Sequence, residues 1–316
     1  MSSRSKGQLK NVAASVRQRL LDRSRTRGED FQLTLIHYAL ERLLYRLSLS
    51  TYRDRFVLKG AMLFNIWQSG SYRATRDLDL LGHGDNRVST VVTVFRDICQ
   101  TAVKDDGLVF MMDSIHGEEI RGDQEYEGVR LLFEARLAEA RIPIQVDIGF
   151  GDTVIPQPEP LDYPAMLDFP APKVLGYPRE AVVAEKYQAM VQLGIANSRM
   201  KDFYDIWFLS QNFPFDGQRF AIAIRSTFDG RRTPLPGIPP LALTVEFFVD
   251  RAKQAQWTAF LKRSGLGAAG LSLPDVCMAL ERFLMPPTAA LISAQSFNHH
   301  WTAKGPWTAS HTTRKS

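Results

Sequence analysis

The stretch "SYRATRDLDLLGHG", residues 71–84, decides the reading of the chain. It places two aspartates, Asp77 and Asp79, one residue apart in a short apolar run that ends in glycines. A run of that length and pattern predicts a β-strand, in which alternate side chains share a face. Asp77 and Asp79 then point the same way, about 7 Å apart at Cα, while Leu78 and Leu80 point into a core. Two like charges so held repel unless a cation sits between them. Either the strand is an edge facing water, or the carboxylates bridge divalent ions about 3.5–4 Å apart, as in two-metal phosphoryl transfer. Carboxylate oxygens favour Mg²⁺ or Mn²⁺. A third carboxylate usually completes such a site, and "IQVDIGF" (144–150) offers Asp147 between Val146 and Ile148.

Upstream, "FVLKGAMLFNIW" (56–67) reads as a strand that meets Gly60 and continues as a helix from about Ala61 to Trp67. Such a turn presents free N–H groups to an anion, and Lys59 adds a point charge beside it. Between the two strands, Arg73 and Thr75 share the face of Asp77, and Arg76 is out of phase. The two in-phase residues either bind phosphate or balance the aspartates. A phosphate on Thr75 would bring a charge of about −1.5 to −2 beside the carboxylates. A threonine chosen only for strand propensity fits the position as well.

The rest of the chain frames this motif. It has 316 residues, 45% of them apolar and 23% charged, with a net charge of +5. That is the composition of a protein with a sizeable core and about two domains. No run approaches the ~18 apolar residues needed to span a membrane, and no apolar leader opens the chain, so a cytoplasmic location is expected. Cys99 and Cys277 stand far apart in apolar contexts, which excludes a disulfide framework and a cysteine zinc site. His83, His116, His299 and His300 have no ligand spacing with a carboxylate or cysteine.

Residues 1–55 hold twelve Lys/Arg and five Asp/Glu, a basic arm on a near-neutral body. The arm suggests a polyanionic partner, nucleic acid first, with Arg17, Arg19, Arg23, Arg25 and Arg27 as its contacts. The other reading is an Arg-rich solvated helix face. Val12, Val16 and Leu20 predict one amphipathic helix. A second covers 31–48, with Arg42 and Arg46 opposite its apolar face. Residues 88–103 read as a helix and 107–150 alternate as strands. A proline-rich linker at 156–178 precedes a helical region over 179–285, and 286–316 reads as a tail of loop or disorder. In that helical region Lys186 either buries its stem and exposes its head or serves a site. Asp202 and Asp205 share a helix face amid aromatics. They need Lys186, Arg199 or Arg73 as partner, or a role at the active site.

The order of these motifs resembles the polymerase β-like nucleotidyltransferases. Within that superfamily, "VLKGAMLFNIW…SYRATRDLDL" is similar to the first motif of the AbiEii family, the toxin half of AbiE-type toxin–antitoxin and abortive-infection systems. "QVDIGF" resembles its second motif, Lys186 in "AEKYQAM" its third, and Asp202 and Asp205 in "RMKDFYDIWFLS" its fourth. The later "RRTPLP" and "QAQWTAFLKR" have the family's look too. The clear departure is Ala61, where the family usually has Gly or Ser. The resemblance spans roughly residues 10–285. It implies an α/β (α+β) nucleotidyltransferase domain with a mixed sheet over 56–155, basic helices at 1–55 packed on it, and a helical domain at 179–285 that completes the site. It also implies transfer of a nucleoside monophosphate from NTP to RNA, the tRNA 3′ end being the favoured acceptor, with an AbiEi-like antitoxin as partner. Asp77, Asp79 and Asp147 would ligate the metal, and Lys59, Gly60, Ala61, Arg73, Thr75 and Lys186 would bind the nucleotide phosphates. Asp202 and Asp205 would complete the site. Two other readings remain: the same chemistry on a protein target, and a binding module without catalysis.

Overall fold

Asn11 and Asp30 accept backbone N–H bonds from Ala14 and Leu33 and so start two helices, α1 (Val12–Arg27) and α2 (Phe31–Leu49). Gly28, left-handed at φ +64°, ends the first. These helices open a computed structural model that describes residues 11–68, 75–121, 127–266 and 270–310. The chain divides into two compact units. One runs to Gly151 and includes Pro160–Gly176; the other comprises Asp152–Glu159 and the chain from Tyr177 onward.

In the first unit, β1 (Phe56–Lys59) leads through a 3₁₀ turn, Gly60–Leu63, into the single-turn α3 (Phe64–Trp67). The helix expected over 61–67 is thus 3₁₀ over its first three residues and α-helical only from Phe64 to Trp67. Then follow β2 (Asp77–Gly82), α4 (Val88–Gln100), β3 (Leu108–Phe110), β4 (His116–Arg121), β5 (Glu127–Leu137), β6 (Ala140–Phe150), β7 (Glu159–Asp162) and β8 (Lys173–Gly176). Among the described residues these eight strands form one mixed sheet, ordered β3-β5-β6-β2-β1-β8-β7, with β4 also on β5. β2 runs parallel to β6 and β1 parallel to β8. β2 is therefore an interior strand, which removes the edge-strand reading of Asp77 and Asp79. Helix α2 packs on β6 and β8 and buries Leu40 and Leu44 completely.

The basic face expected on α2 does not face water. Arg42 is 1% exposed and Arg46 6%. The Arg46 guanidinium donates to both oxygens of Asp106, at 2.7 and 3.1 Å. Arg42 ion-pairs with Glu41 at 3.0 Å, donates to the Pro170 carbonyl at 2.7 Å, and lies over the Tyr45 and Phe169 rings. The proline-rich segment, which lies over α1 and α2, covers Arg42, whereas Arg46 is buried against Asp106 and the Phe110 ring. Glu41 accepts the Met166 N–H at 2.6 Å, Arg23 donates to the Met166 carbonyl at 3.0 Å, and Arg19 meets Asp168 at 2.6 Å.

Burial pushes the Glu41 carboxyl up from its ordinary 4.5 to about 7, against the opposing pull of Arg42, the Met166 N–H and Arg23. A carboxyl that holds its proton more tightly when folded binds more protons in the native state, so stability falls as pH rises from about 4.5 through about 7. Glu41→Gln should flatten that part of the profile, read as thermal midpoint between pH 5 and 7.5.

In the second unit α5 (Arg179–Leu193), α6 (Met200–Asn212), β9 (Phe215–Asp216), α7 (Gly217–Gly230), α8 (Val245–Val249), α9 (Arg251–Arg263) and α10 (Leu273–Ile292) are followed by β10 (His299–Trp301) and β11 (Trp307–Ala309). The last two strands join β9 in a second sheet. The expected tail is therefore folded over 286–310. Its isolated aromatics explain why: Trp301 and Trp307 pack on Phe283, and His299 stacks on Phe297. α10 runs through Pro286 and Pro287. Pro287 has no N–H to offer the Phe283 carbonyl one turn back, and the Trp307 indole N–H donates to that carbonyl instead, at 2.9 Å. Burial pushes the Cys99 and Cys277 thiols up to about 12, so neither is a reactive thiolate. Among the described residues no helix is long and apolar enough to cross a membrane.

Candidate active site

Strand register assembles the site. Lys59 on β1 is the partner of Asp79 on β2, and Asp79 is the partner of Asp147 on β6. Asp147 is the partner of Arg130 on β5, and Arg130 of Glu118 on β4. Direct partners share a face, so five charged side chains form one rung across five strands, in the order cation, anion, anion, cation, anion. Asp77 lies on the same face, two residues from Asp79. Its backbone partner on β6 is Gln145. One oxygen from each of Asp77, Asp79 and Asp147 lies within 4.8 Å of the others, and all three residues are half-buried. Leu78 and Leu80 point the other way into the core, at 1% and 0% exposure.

Gly60 permits this closeness. Its φ is +73°, a conformation unfavourable for any side chain. A Cβ there would lie 2.0 Å from Asp79 Oδ2 and 2.7 Å from Asp79 Cβ. Ala61 has no positive φ, so the alanine that departs from the family pattern sits in the turn without strain. A four-residue α3 supplies little helix dipole. What remains for an anion is the turn's N–H groups and the Lys59 ammonium. The latter reaches across to β6, where a Cβ on Gly149 would lie 3.3 Å from Nζ.

Thr75 is 7% exposed and donates to Asp77 Oδ1 at 2.5 Å, as its shared face requires. Its carbonyl meets His37 Nε2 at 2.8 Å, and burial lowers the pKa of that imidazole. Arg73 lies outside the described residues. The structure adds two partners of Asp147 that the motifs do not announce. Arg130 donates to both its oxygens at 2.8 Å, and Gln145 Nε2 lies 3.2 Å from each. Gln145, two residues before Asp147 on one strand, was legible from alternation. Arg130 was not, because only the hairpin register brings it there.

Lys186, Asp202 and Asp205 form a cluster within the second unit. Lys186 Nζ lies 2.5 Å from Asp202 Oδ1 and 3.0 Å from Asp205 Oδ2, and Arg199 Nε lies 2.7 Å from Asp202 Oδ2. Both carboxylates are buried, at 1% and 0% exposure, so Lys186 and Arg199 supply the partners they need. Of the five arm arginines, Arg19, Arg25 and Arg27 are exposed, Arg27 near Glu29 at 3.9 Å. Arg17 lies over the Phe31 ring, and Arg19 and Arg23 are engaged as described.

Three oxygen donors gathered at one point of a mixed sheet, beside a lysine and a glycine turn, are compatible with a divalent ion and a phosphate, the two requirements of nucleotidyl transfer. Residues 42–282 match the family described as Nucleotidyl transferase AbiEii toxin, Type IV TA system, and the chain belongs to that family. Membership makes it an enzyme, which sets aside the non-catalytic reading, and implies an antitoxin as partner. Two solved structures are similar, both from Helicobacter pylori. JHP933 shares 13% identity over 82% of this chain and 91% of its own, with a TM-score of 0.44. A protein provisionally described as a nucleotidyltransferase shares 14% over 83% and 97%, with a TM-score of 0.47. No curated protein matches the chain.

Thr75 tests the site's boundary. Thr75→Glu sets a third charge against Asp77, where the hydroxyl now donates, and should cut nucleotide turnover by about 100-fold or more. Thr75→Val keeps the strand and loses one hydrogen bond, for a loss of about tenfold or less. Turnover by both variants checks this; full activity of the glutamate variant would place Thr75 away from the chemistry.

Proposed function

We propose that the chain transfers a nucleoside monophosphate from NTP to an RNA 3′ end, with tRNA the favoured acceptor, and so blocks translation in the cytosol. The observation that carries this reading is the rung that sets Lys59, Asp79 and Asp147 in register, with Asp77 beside them. Asp77, Asp79 and Asp147 would hold Mg²⁺ or Mn²⁺. Such ions lower the pKa of an attacking hydroxyl and offset charge on the leaving pyrophosphate. Lys59 and the N–H groups of Gly60 and Ala61 would bind the triphosphate, with Thr75 fixing Asp77 and Arg73 adding charge. An AbiEi-like antitoxin would be the partner.

The test is incubation with each labelled NTP, bulk tRNA and Mg²⁺. Labelled tRNA supports the proposal; label on protein alone redirects it to a protein acceptor, and no label in any arm removes it. The engagement of Arg19 and Arg23 within the first unit favours the protein reading, because it leaves the arm fewer cations for RNA. The salt dependence of tRNA binding tests the arm's part in holding RNA. Replacing exposed Arg25 and Arg27 by Gln should lower the log–log slope by about 0.7–0.9 for each phosphate that the arm no longer neutralises. An unchanged slope would place the RNA path elsewhere.

A further inference from the structure

Asp147 is saturated with donors. An ionised carboxylate offers about four lone-pair positions. Two neighbours take them here: Arg130 through Nε and Nη2, one on each oxygen at 2.8 Å, and Gln145 through Nε2, 3.2 Å from both. The pairing with Arg130 is a two-pronged charge-assisted one, the strongest kind of side-chain hydrogen bonding. A divalent ion bound by Asp147 must take at least one of those positions. Something has to leave, and the guanidinium has somewhere to go. Glu118, the next residue along the rung, stands 4.0 Å from Arg130 Nη1 and is 56% exposed. The side chains of Arg130 and Asp147 are 35% and 19% exposed, so the guanidinium has room to turn.

We propose that Arg130 is a displaceable counter-ion for the acidic centre: it occupies Asp147 until a divalent ion arrives, then swings along the rung to Glu118. Arg130 is then a positioning residue. It keeps three clustered carboxylates compatible with the folded sheet, and it sets the concentration of metal at which the site loads. Gln145, a neutral donor on the same strand as Asp147, stays behind and keeps the carboxylate aimed. This inference rests on the metal reading of Asp77, Asp79 and Asp147.

Mn²⁺ binding to the full chain, followed by calorimetry and by the Mn²⁺ spin-resonance signal without NTP, tests both separately. Arg130→Gln removes the competitor and one repelling charge, and should bind Mn²⁺ about tenfold more tightly than the unaltered chain. Arg130→Lys keeps the charge but not the fork, and should fall between them. It also serves if the glutamine variant folds poorly. Glu118→Gln removes the receiving carboxylate and should weaken binding about two- to threefold. In the Arg130→Gln background that effect should vanish, because Glu118 acts through Arg130. If Asp147→Asn abolishes Mn²⁺ binding while Arg130→Gln and Arg130→Lys leave it unchanged or weaken it, the metal site stands and the counter-ion role is overturned. If the unaltered chain binds no Mn²⁺ at millimolar concentration, the metal reading fails and takes this proposal with it.

Discussion

Asp77→Asn and Asp79→Asn should each eliminate nucleotidyl transfer, by on the order of 10³-fold or more, while the thermal midpoint stays level or rises. Each exchange keeps the size of the side chain and removes one ligand charge. One carboxylate oxygen from each of Asp77, Asp79 and Asp147 lies within 4.8 Å of the others, so removing one charge relieves repulsion in the folded state. In Asp77→Asn the side-chain amide also keeps an oxygen for the Thr75 hydroxyl, which now donates to Asp77 Oδ1. A protein that loses its activity and not its stability has lost chemistry alone. Turnover and calorimetric midpoint measured on one preparation decide it, and near-normal turnover in either variant would end the assignment of these residues to a metal.

Gly60→Ala should fail in the opposite manner, losing both fold stability and activity. Its cost has two sources. An alanine at φ +73° costs about 1–2 kcal/mol. The new methyl meets Asp79 at its carboxylate oxygen and at its Cβ, 2.0 and 2.7 Å away. A rotation of the carboxylate relieves the first contact but not the second, so β1 and β2 must part, for about 1–3 kcal/mol more. Asp79 then leaves the rung and the metal site goes with it. Ala61→Gly is the control. Ala61 has an ordinary φ, and its change should cost less than about 1 kcal/mol, through the added freedom of the unfolded chain. Urea melts and Mn²⁺ binding of the pair check this. Full Mn²⁺ affinity in Gly60→Ala would show that the turn does not hold Asp79.

The contrast between these two glycine-turn positions shows what the sequence could tell. The carboxylates were legible because a strand's alternation is strict: an aspartate inside an apolar run must face a site or a partner, and Asp77, Asp79 and Asp147 all sit in such runs. Arg130 sits in a similar run, "YEGVRLLFEARL", but its partner is 17 residues away along the chain. The two meet only because β5 turns into β6 over two residues, with Ala138 at φ +50° and Leu137 paired to Ala140. Shift that turn by one residue and the arginine faces the other side. Arg42 and Arg46 misled for another reason. Helical periodicity shows which side of α2 is apolar, but not that a proline-rich segment over a hundred residues later covers Arg42, nor that Asp106 and Phe110 enclose Arg46. Trp301 and Trp307 were missed because each stands alone among polar residues, with no run around it; their apolar neighbours come from Phe283 and Phe220.

A centre built as a rung constrains how the gene can change. Its charges come from β1, β2, β4, β5 and β6, and each is aimed by counting residues along its own strand. Point substitutions can accumulate on the far face of these strands without disturbing the row. A single-codon insertion or deletion inside one of them, unless a β-bulge takes it up, puts every residue beyond it on the other side and removes one charge from the row. The connections between strands carry no such count. Length variation in this lineage should therefore collect in the strand connections, such as the one joining β6 to β7, while the spacing from Asp77 to Asp79 and from Gln145 to Asp147 stays fixed even after most of the surrounding letters have been replaced.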